Sequence, residues 1–356
     1  MDGKAEAGDS GTIRYPWEAP PETGAAIEVA PGILWLRLPL PMTLDHVNIY
    51  ALDDGDSWTL VDCGMYSRKT VAIWETLLTG PLRGKPVRRI LLTHHHPDHV
   101  GVAGWFMDRG AELWASRTAW TLARMLILDV ETEPSAAAKA YWRAAGMDAD
   151  IYAKRLTERP FNFADMAHPL PVGYRRLQQG DVITAGGRTW DVHVGHGHAP
   201  EHLVFFSRED AVILAGDQIL PSISPNIGVH PSEPLADPLA EWLESCARFS
   251  TLVREDHLVL GGHKLPFTGA PTRMRQLIDN HAGALKRLLR HLDQPRTAAQ
   301  CFPPLFKRTI DGGSYGLALV EAVAHLNHLL HQGAVTRAMG PDGAWLWQAA
   351  GDDIEA

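Results

Sequence analysis

The sequence predicts an α/β protein: a two-layered β-sheet sandwich with helices on its outer faces, followed by a C-terminal helical, winged-helix-like unit. Three observations carry this. Short apolar runs alternate with turn signals from Ile27 onward, the same pattern recurs in the second half, and after residue 270 the strand-like runs give way to helical periodicity.

Taken in order, residues 1–24 are rich in Gly, Pro, Ala and acidic residues and are expected to form a flexible N-terminal arm, with Tyr15 and Trp17 able to dock on something. IEVAPGILWLRLPL, VNIYAL and SWTLVDCG, punctuated by DDGD, read as an antiparallel meander. Residues 67–79 suit a helix, and VRRILLTHHHPDH then reads as a buried strand running into a loop of histidines at its C-terminal end. Sheets flanked by helices commonly place ligand sites at that edge. A helical insert at about 115–165 holds Trp120, Met125, Leu126, Leu128, Tyr141, Trp142 and Tyr152. Such residues at helical spacing are core residues first, and an apolar lid over the site is the alternative.

Residues 181–217 return to strands, so residues 25–270 form one catalytic domain. Residues 271–356 are helical as far as Gly333, a C-terminal cap, and close with a hairpin in which VTRAM and AWLW flank GPDG.

With 45% hydrophobic residues the 356-residue chain can bury a sizeable core, and a net charge of -9 with 21% charged residues argues against a surface built throughout for nucleic acid or anionic lipid. Cys63, Cys246 and Cys301 are far apart and lack CxxC spacing, so neither a disulfide framework nor a thiolate metal site is indicated and a cytoplasmic location fits. The N-terminus lacks a signal-peptide stretch and no run of about 18 apolar residues occurs, so no membrane association is expected.

The chemistry is concentrated in THHHPDH, residues 93–99, where four of the 18 histidines and one aspartate fall within six positions. His94 and His96, two apart on an extended strand end, point to one side, while Asp98 and His99 follow where the chain turns toward helix and can face a second nearby point. Downstream, GHGHAPEH at 195–202, VILAGD ending at Asp217 and LVLGGH ending at His263 each place a further ligand type after an apolar run.

This ordered set, preceded by Asp62 in TLVDCG, resembles the five-motif pattern of the metallo-β-lactamase superfamily over roughly residues 25–265. The resemblance implies an αββα sandwich in which His94, His96 and His198 hold one metal, Asp98, His99 and His263 hold another, and Asp217 bridges both. His198 matches the superfamily spacing, with a second histidine, His202, four residues on. His196 and His95 are then supporting or surface residues, and His193 an ordinary strand residue. Asp62 and His202 are expected to brace the ligands rather than to touch metal.

Imidazole and carboxylate ligands without thiolate favour two zinc ions, with iron or manganese as tolerable substitutes. Such a pair yields a bridging hydroxide at neutral pH, the nucleophile of a hydrolase, with Asp98, His99 and Asp217 as its catalytic residues. Asp217 shifts the expectation from β-lactams, whose hydrolases commonly lack this aspartate, toward a small acyl substrate: a thioester, ester or lactone. Asn226 and His230, in the Pro-rich segment after Asp217, are candidates for the pocket mouth. Arg273, Arg275, Lys286, Arg287, Arg290 and Arg296 form a modest basic face on the C-terminal unit, which resembles an extension found on ribonuclease-like relatives. Nucleic acid is accordingly the alternative partner, with phosphodiester cleavage as the alternative reaction, and a homodimer is compatible with the sequence.

Overall fold

The computed structural model describes residues 12–306 and 309–351. A seven-stranded sheet contains, in spatial order, β1 (Ile27–Ala30), β2 (Ile33–Pro39), β3 (His46–Asp53), β4 (Trp58–Val61), β5 (Val87–Leu91), β6 (Glu112–Ala115) and β7 (Arg175–Arg176). A five-stranded sheet contains β8 (Val182–Ala185), β9 (Arg188–Gly195), β10 (His202–Ser207), β11 (Val212–Gly216) and β12 (Leu258–Gly261). Each sheet begins antiparallel and becomes parallel at the strands that carry the motifs. The switch comes where a helix replaces a hairpin as the connection: α1 (Arg68–Thr79) between β4 and β5, and α7 (Pro238–Ser250) between β11 and β12. Both helices have side-chain N-caps, Ser67 accepting from the Thr70 amide and Asp237 from the Ala240 amide.

Strand alternation sorts the apolar side chains into layers. On β2, Trp35 faces the space between the sheets while Leu36 and Leu38 face outward; on β10, Leu203 and Phe205 face inward while Val204 and Phe206 face outward. α1 and two helices of the segment before β6 and after it, α3 (Ala103–Met107) and α4 (Arg117–Leu128), cover the first sheet; α7 and the first half of α8 (Ala270–His291) cover the second. The result is the αββα arrangement, with each fully buried Leu or Phe stabilising it by about 1.5–3 kcal/mol.

The insert comprises α4, α5 (Ala136–Ala144) and α6 (Ala149–Thr157). Its aromatic residues do not form a lid. Tyr141, Trp142 and Tyr152 pack into the core of the C-terminal unit, Trp120 stacks on Tyr174, and Met125 and Leu128 stay exposed.

The C-terminal unit consists of the second half of α8, α9 (Phe302–Leu305), α10 (Tyr315–His331) and a ribbon of β13 (Val335–Met339) and β14 (Trp345–Ala349). α8 serves both cores, Met274 and Leu277 lying in the sandwich and Ala284 and Leu288 in the C-terminal unit, so the transition between them falls within one helix. The basic face read on that helix is partly internal. Arg273 is buried, donating to the carbonyls of Leu220 and Ile223, while Arg287 and Arg296 donate to those of Pro304 and His291.

Residues 12–24, read from composition as arm, lie against the body: Arg14 exchanges backbone hydrogen bonds with Thr268 and Trp17 packs on the inter-sheet core. Residues 1–11 of the expected arm lie outside the described residues. The three cysteines are buried and unpaired. Among the described residues no helix is long and apolar enough to cross a membrane.

Candidate metal centre

The strand ends converge on one point. β5 leads through Thr93 into the histidine loop and the four-residue helix α2 (Pro97–Val100); β9 ends before His198, β11 before Asp217 and β12 before His263. Three overlapping sets of ligand atoms result, His94, His96 and His198; His94, His99 and Asp217; and Asp98, His99 and His263, the atoms of each set within 4.8 Å of one another.

Asp217 occupies the centre. One carboxylate oxygen is 3.5 Å from His99 Nε2; the other is 3.5 Å from His198 Nε2 and 3.2 Å from His263 Nε2. Asp98 approaches His263 Nε2 at 3.4 Å and His99 Nε2 at 3.5 Å. His94 Nε2 and His96 Nδ1 are 3.0 Å apart.

A hydrogen bond to the second ring nitrogen sets the orientation of four of these imidazoles. His99 Nδ1 donates to Asp62 Oδ2 at 2.7 Å, His198 Nδ1 to the Asn226 carbonyl at 2.8 Å and His263 Nδ1 to the His46 carbonyl at 2.7 Å. His94 Nδ1 donates to Thr93 Oγ1 at 3.0 Å, because that hydroxyl gives its own hydrogen to Asp62 Oδ2 at 2.8 Å. Each acceptor holds a proton on Nδ1 and turns Nε2 into the cluster. The Nε2 atoms of His99 and His198, and Asp217 Oδ1, are buried without a hydrogen-bond partner, the condition of atoms built to bind a cation.

The field agrees. Burial opposes charge on His99, but Asp217, Asp98 and Asp62 outweigh it and raise its pKa well above the ordinary imidazole value. Against the same burial, Asp217 and Asp98 raise His263 to about 10. His94, buried, and His96, half-buried, lose hydration among other imidazoles, are held well below the usual value and stay neutral. Neutral imidazoles at His94 and His96, and carboxylates whose pull on His99 and His263 a divalent cation would answer in place of their protons, fit a divalent metal.

Backbone conformation contributes. Asp62 and Lys264, each in the left-handed region at φ 61° and 68°, turn the chain sharply at the ends of β4 and β12. A Cβ on Gly262 would stand 2.4 Å from Asp217 Oδ1 and 2.8 Å from His99 Cε1, so only glycine lets this backbone pass so close to the ligands.

A sequence profile described as the metallo-beta-lactamase superfamily matches residues 42–263. The chain belongs to the metallo-β-lactamase superfamily. A second profile, the C-terminal domain of metallo-beta-lactamase-like proteins, matches residues 285–350. Among solved structures, a beta-lactamase domain protein from Burkholderia ambifaria is 37% identical with a TM-score of 0.86, covering 95% of this chain and 98% of its own. A metallo-beta-lactamase family protein from Thermus thermophilus is 30% identical with a TM-score of 0.75, covering 90% and 100% respectively. The probable metallo-hydrolase YqjP of Bacillus subtilis is 26% identical over 315 residues, 85% of this chain and 94% of that protein.

Like other members of the superfamily, which generally bind divalent metals, the chain therefore carries a metal-type His/Asp cluster at its strand ends. His196 lies outside it, its Nδ1 accepting from the Glu201 amide. Asp62 accepts from Thr93 N and Thr93 Oγ1 as well as His99, and His202 accepts from the Asp217 amide at 3.1 Å while stacking on His94. His193, on β9, packs against Phe206 of β10.

Asn226 does not offer its amide to a pocket. It donates to Glu321 Oε2 and the Leu317 carbonyl, and its own main-chain oxygen holds His198. His230 is exposed, close enough to His95 for a charge on one to disfavour a charge on the other.

Sequence reasoning missed His46, Asn48 and Tyr50. They occupy alternate positions of β3 on the face toward β12, where Asn48 and Tyr50 donate to the Gly261 carbonyl and His46 Nε2 accepts from the Lys264 amide. The signal was present as three polar-tipped residues at period two in an otherwise apolar strand.

Proposed function

We propose that this superfamily member is a binuclear, zinc-dependent hydrolase of small acyl substrates, thioesters, esters or lactones. The observation that carries the metal reading is the set of four imidazoles with Nδ1 tied to an acceptor and Nε2 turned into the cluster, two of those nitrogens, on His99 and His198, being buried beside Asp217 without a hydrogen-bond partner. His94, His96 and His198 would hold one ion, Asp98, His99 and His263 the other, with Asp217 between them. Bound there, the ions supply Lewis-acid polarisation of a substrate oxygen and a water acidified to a pKa of about 7.

The remaining work belongs to the chain. Asp217 keeps both ligand groups in register, because its two oxygens reach His99 on one side and His198 and His263 on the other. Asp98, the more solvent-exposed carboxylate, is positioned to accept the proton released as water attacks and to pass it outward. Asp62 fixes the His99 ring so that its Nε2 stays turned toward Asp98 and Asp217.

The small-substrate reading is supported by the use made of the C-terminal unit. α10 is occupied in holding the segment after Asp217, and Arg273, Arg287 and Arg296 are engaged with main-chain carbonyls rather than left free for phosphates.

Metal content of purified protein, combined with hydrolysis of a panel of thioesters, esters, lactones, β-lactams and single-stranded RNA, tests the proposal. About two zinc ions per chain and turnover confined to acyl compounds are expected. Protein that retains no metal, or full activity in His96→Ala and Asp217→Ala, would sink the metal reading. RNA cleavage lost on removing residues 271–356 would replace the acyl reading.

A further inference from the structure

We propose that Glu321, on α10 of the C-terminal unit, is a positioning residue for the metal ligand His198. The inference rests on the metal reading above for its meaning, and on hydrogen-bond geometry for its substance. Three of the four oriented imidazoles take their Nδ1 acceptor from the sandwich itself: Thr93, Asp62 and His46. His198 takes its acceptor, the Asn226 carbonyl, from residues 221–237, a segment without helix or strand.

A segment of that kind cannot hold a carbonyl in place through its own backbone ladder, so something else must do so. α10 does it. Val229 N donates to the Val320 carbonyl, Asn327 Nδ2 to the carbonyls of Pro234 and Ala236, and His328 pairs with Asp237, so the segment is laid along the helix from one end to the other. Tyr141 of the insert adds a bond from its hydroxyl to the Val229 carbonyl.

At the point that matters for His198, the anchor is a carboxylate. Asn226 Nδ2 donates to Glu321 Oε2 at 2.8 Å and to the Leu317 carbonyl at 3.1 Å. Both amide hydrogens therefore meet acceptors, and turning the amide over would set its oxygen against two oxygens. This locks the Asn226 side chain, and with it the residue whose main-chain oxygen holds the His198 proton on Nδ1. The backbone of Glu321 is held within α10, its main-chain oxygen also meeting His325 Nδ1 at 2.8 Å. The chain Glu321–Asn226–His198 thus makes one metal ligand depend on a domain that contributes no ligand.

The test uses full-length Glu321→Ala, Glu321→Gln, Asn226→Ala and the Glu321→Ala/Asn226→Ala double variant. In metal-free protein the nitrogen chemical shifts of His198 report its tautomer: Nδ1–H in the wild type and in Glu321→Gln, which keeps an acceptor oxygen, and a mixture in Glu321→Ala. Chelator competition with zinc should show Glu321→Ala binding one ion about 10-fold more weakly, the other unchanged, with Glu321→Gln near wild type. The double variant should be no worse than Asn226→Ala, because both act on one chain of contacts.

Wild-type tautomer and affinity in Glu321→Ala would overturn the proposal, as would Glu321→Gln failing to rescue. Should Glu321→Ala not fold, Glu321→Asp carries the same expectation through a carboxylate drawn back by one methylene. Wild-type protein that binds no zinc would refute the metal reading alone, since the tautomer measurement still decides the role of Glu321.

Discussion

Asp62→Asn changes one atom and, on the two-metal reading proposed above, should weaken the hold on one ion. The Asp62 carboxylate is buried and fully used: Oδ1 accepts from Thr93 N at 2.8 Å, and Oδ2 from Thr93 Oγ1 at 2.8 Å and His99 Nδ1 at 2.7 Å. Asparagine is nearly isosteric and tolerates the left-handed backbone at φ 61°, so the fold has no steric reason to change. Its oxygen must stay opposite the Thr93 amide, which puts the NH₂ group against His99 Nδ1. His99 can relieve that clash of donors only by giving up its Nδ1 proton and keeping one on Nε2, the atom 3.5 Å from both Asp98 and Asp217. The lone pair meant for a metal is then blocked.

Loss of the charge-assisted bonds lowers stability by about 1.5–3 kcal/mol. Loss of the oriented ligand weakens the ion at Asp98, His99 and His263 by about 10- to 100-fold, or about 1.4–2.8 kcal/mol. Chelator competition with zinc, read together with circular dichroism, should show one binding step weakened, the other kept and the secondary structure intact. Two unchanged binding steps in a folded Asp62→Asn protein would refute the argument that Asp62 works by choosing the His99 tautomer.

Acid stability gives a second prediction. Burial and neighbouring imidazoles hold His281 at about 3 and His325 at about 4, below the ordinary 6.5. Above pH 6.5 neither folded nor unfolded form is protonated, but below it the unfolded chain takes up protons that the folded chain refuses, so stability falls as pH drops. At about pH 5 each histidine should cost about 2 kcal/mol. Urea unfolding should accordingly show that His281→Gln loses about 2 kcal/mol less than wild type between about pH 7.5 and 5, and parallel pH profiles would contradict this. Gly262→Ala should lower both metal affinity and stability, the latter by about 1–3 kcal/mol, because its Cβ strikes Asp217 and His99 at once; a variant with wild-type zinc content and melting temperature would show that the backbone gives way. Tyr141→Phe removes the bond to the Val229 carbonyl and should cost about 1 kcal/mol, with faster proteolysis within residues 221–237 as the local readout.

The gathering of the candidate ligands was legible because their placement follows from local rules. A strand that ends in a histidine loop delivers side chains at its C-terminal edge whatever lies around it, and His94, His96, Asp98 and His99 sit within one such stretch. The sandwich was legible because short apolar runs separated by turn signals recur in both halves, whereas β2 and β10 are apolar on both faces and only packing assigns their side chains to layers. Aromatic residues of the insert were not, since Tyr141 and Trp142 are equally apolar under a lid and in a core, and only docking against α10 and β14 decides between them. Arg273 likewise looks like any surface cation until the carbonyls of Leu220 and Ile223 are seen around it.

By itself the sequence determined the layered fold, the residue types that gather at the strand ends, and membership of a superfamily defined by that gathering. Tertiary structure alone decided how each imidazole is aimed. His94 and His99 are oriented through Asp62, 31 and 37 residues away along the chain when counted from Thr93 and His99, His263 through His46, 217 residues away, and His198 through an asparagine 28 residues on that is held by Glu321, a further 95 residues along. Ligand identity is a property of one residue and its neighbours in sequence, whereas the position of a proton on a ring depends on an acceptor that only folding brings near.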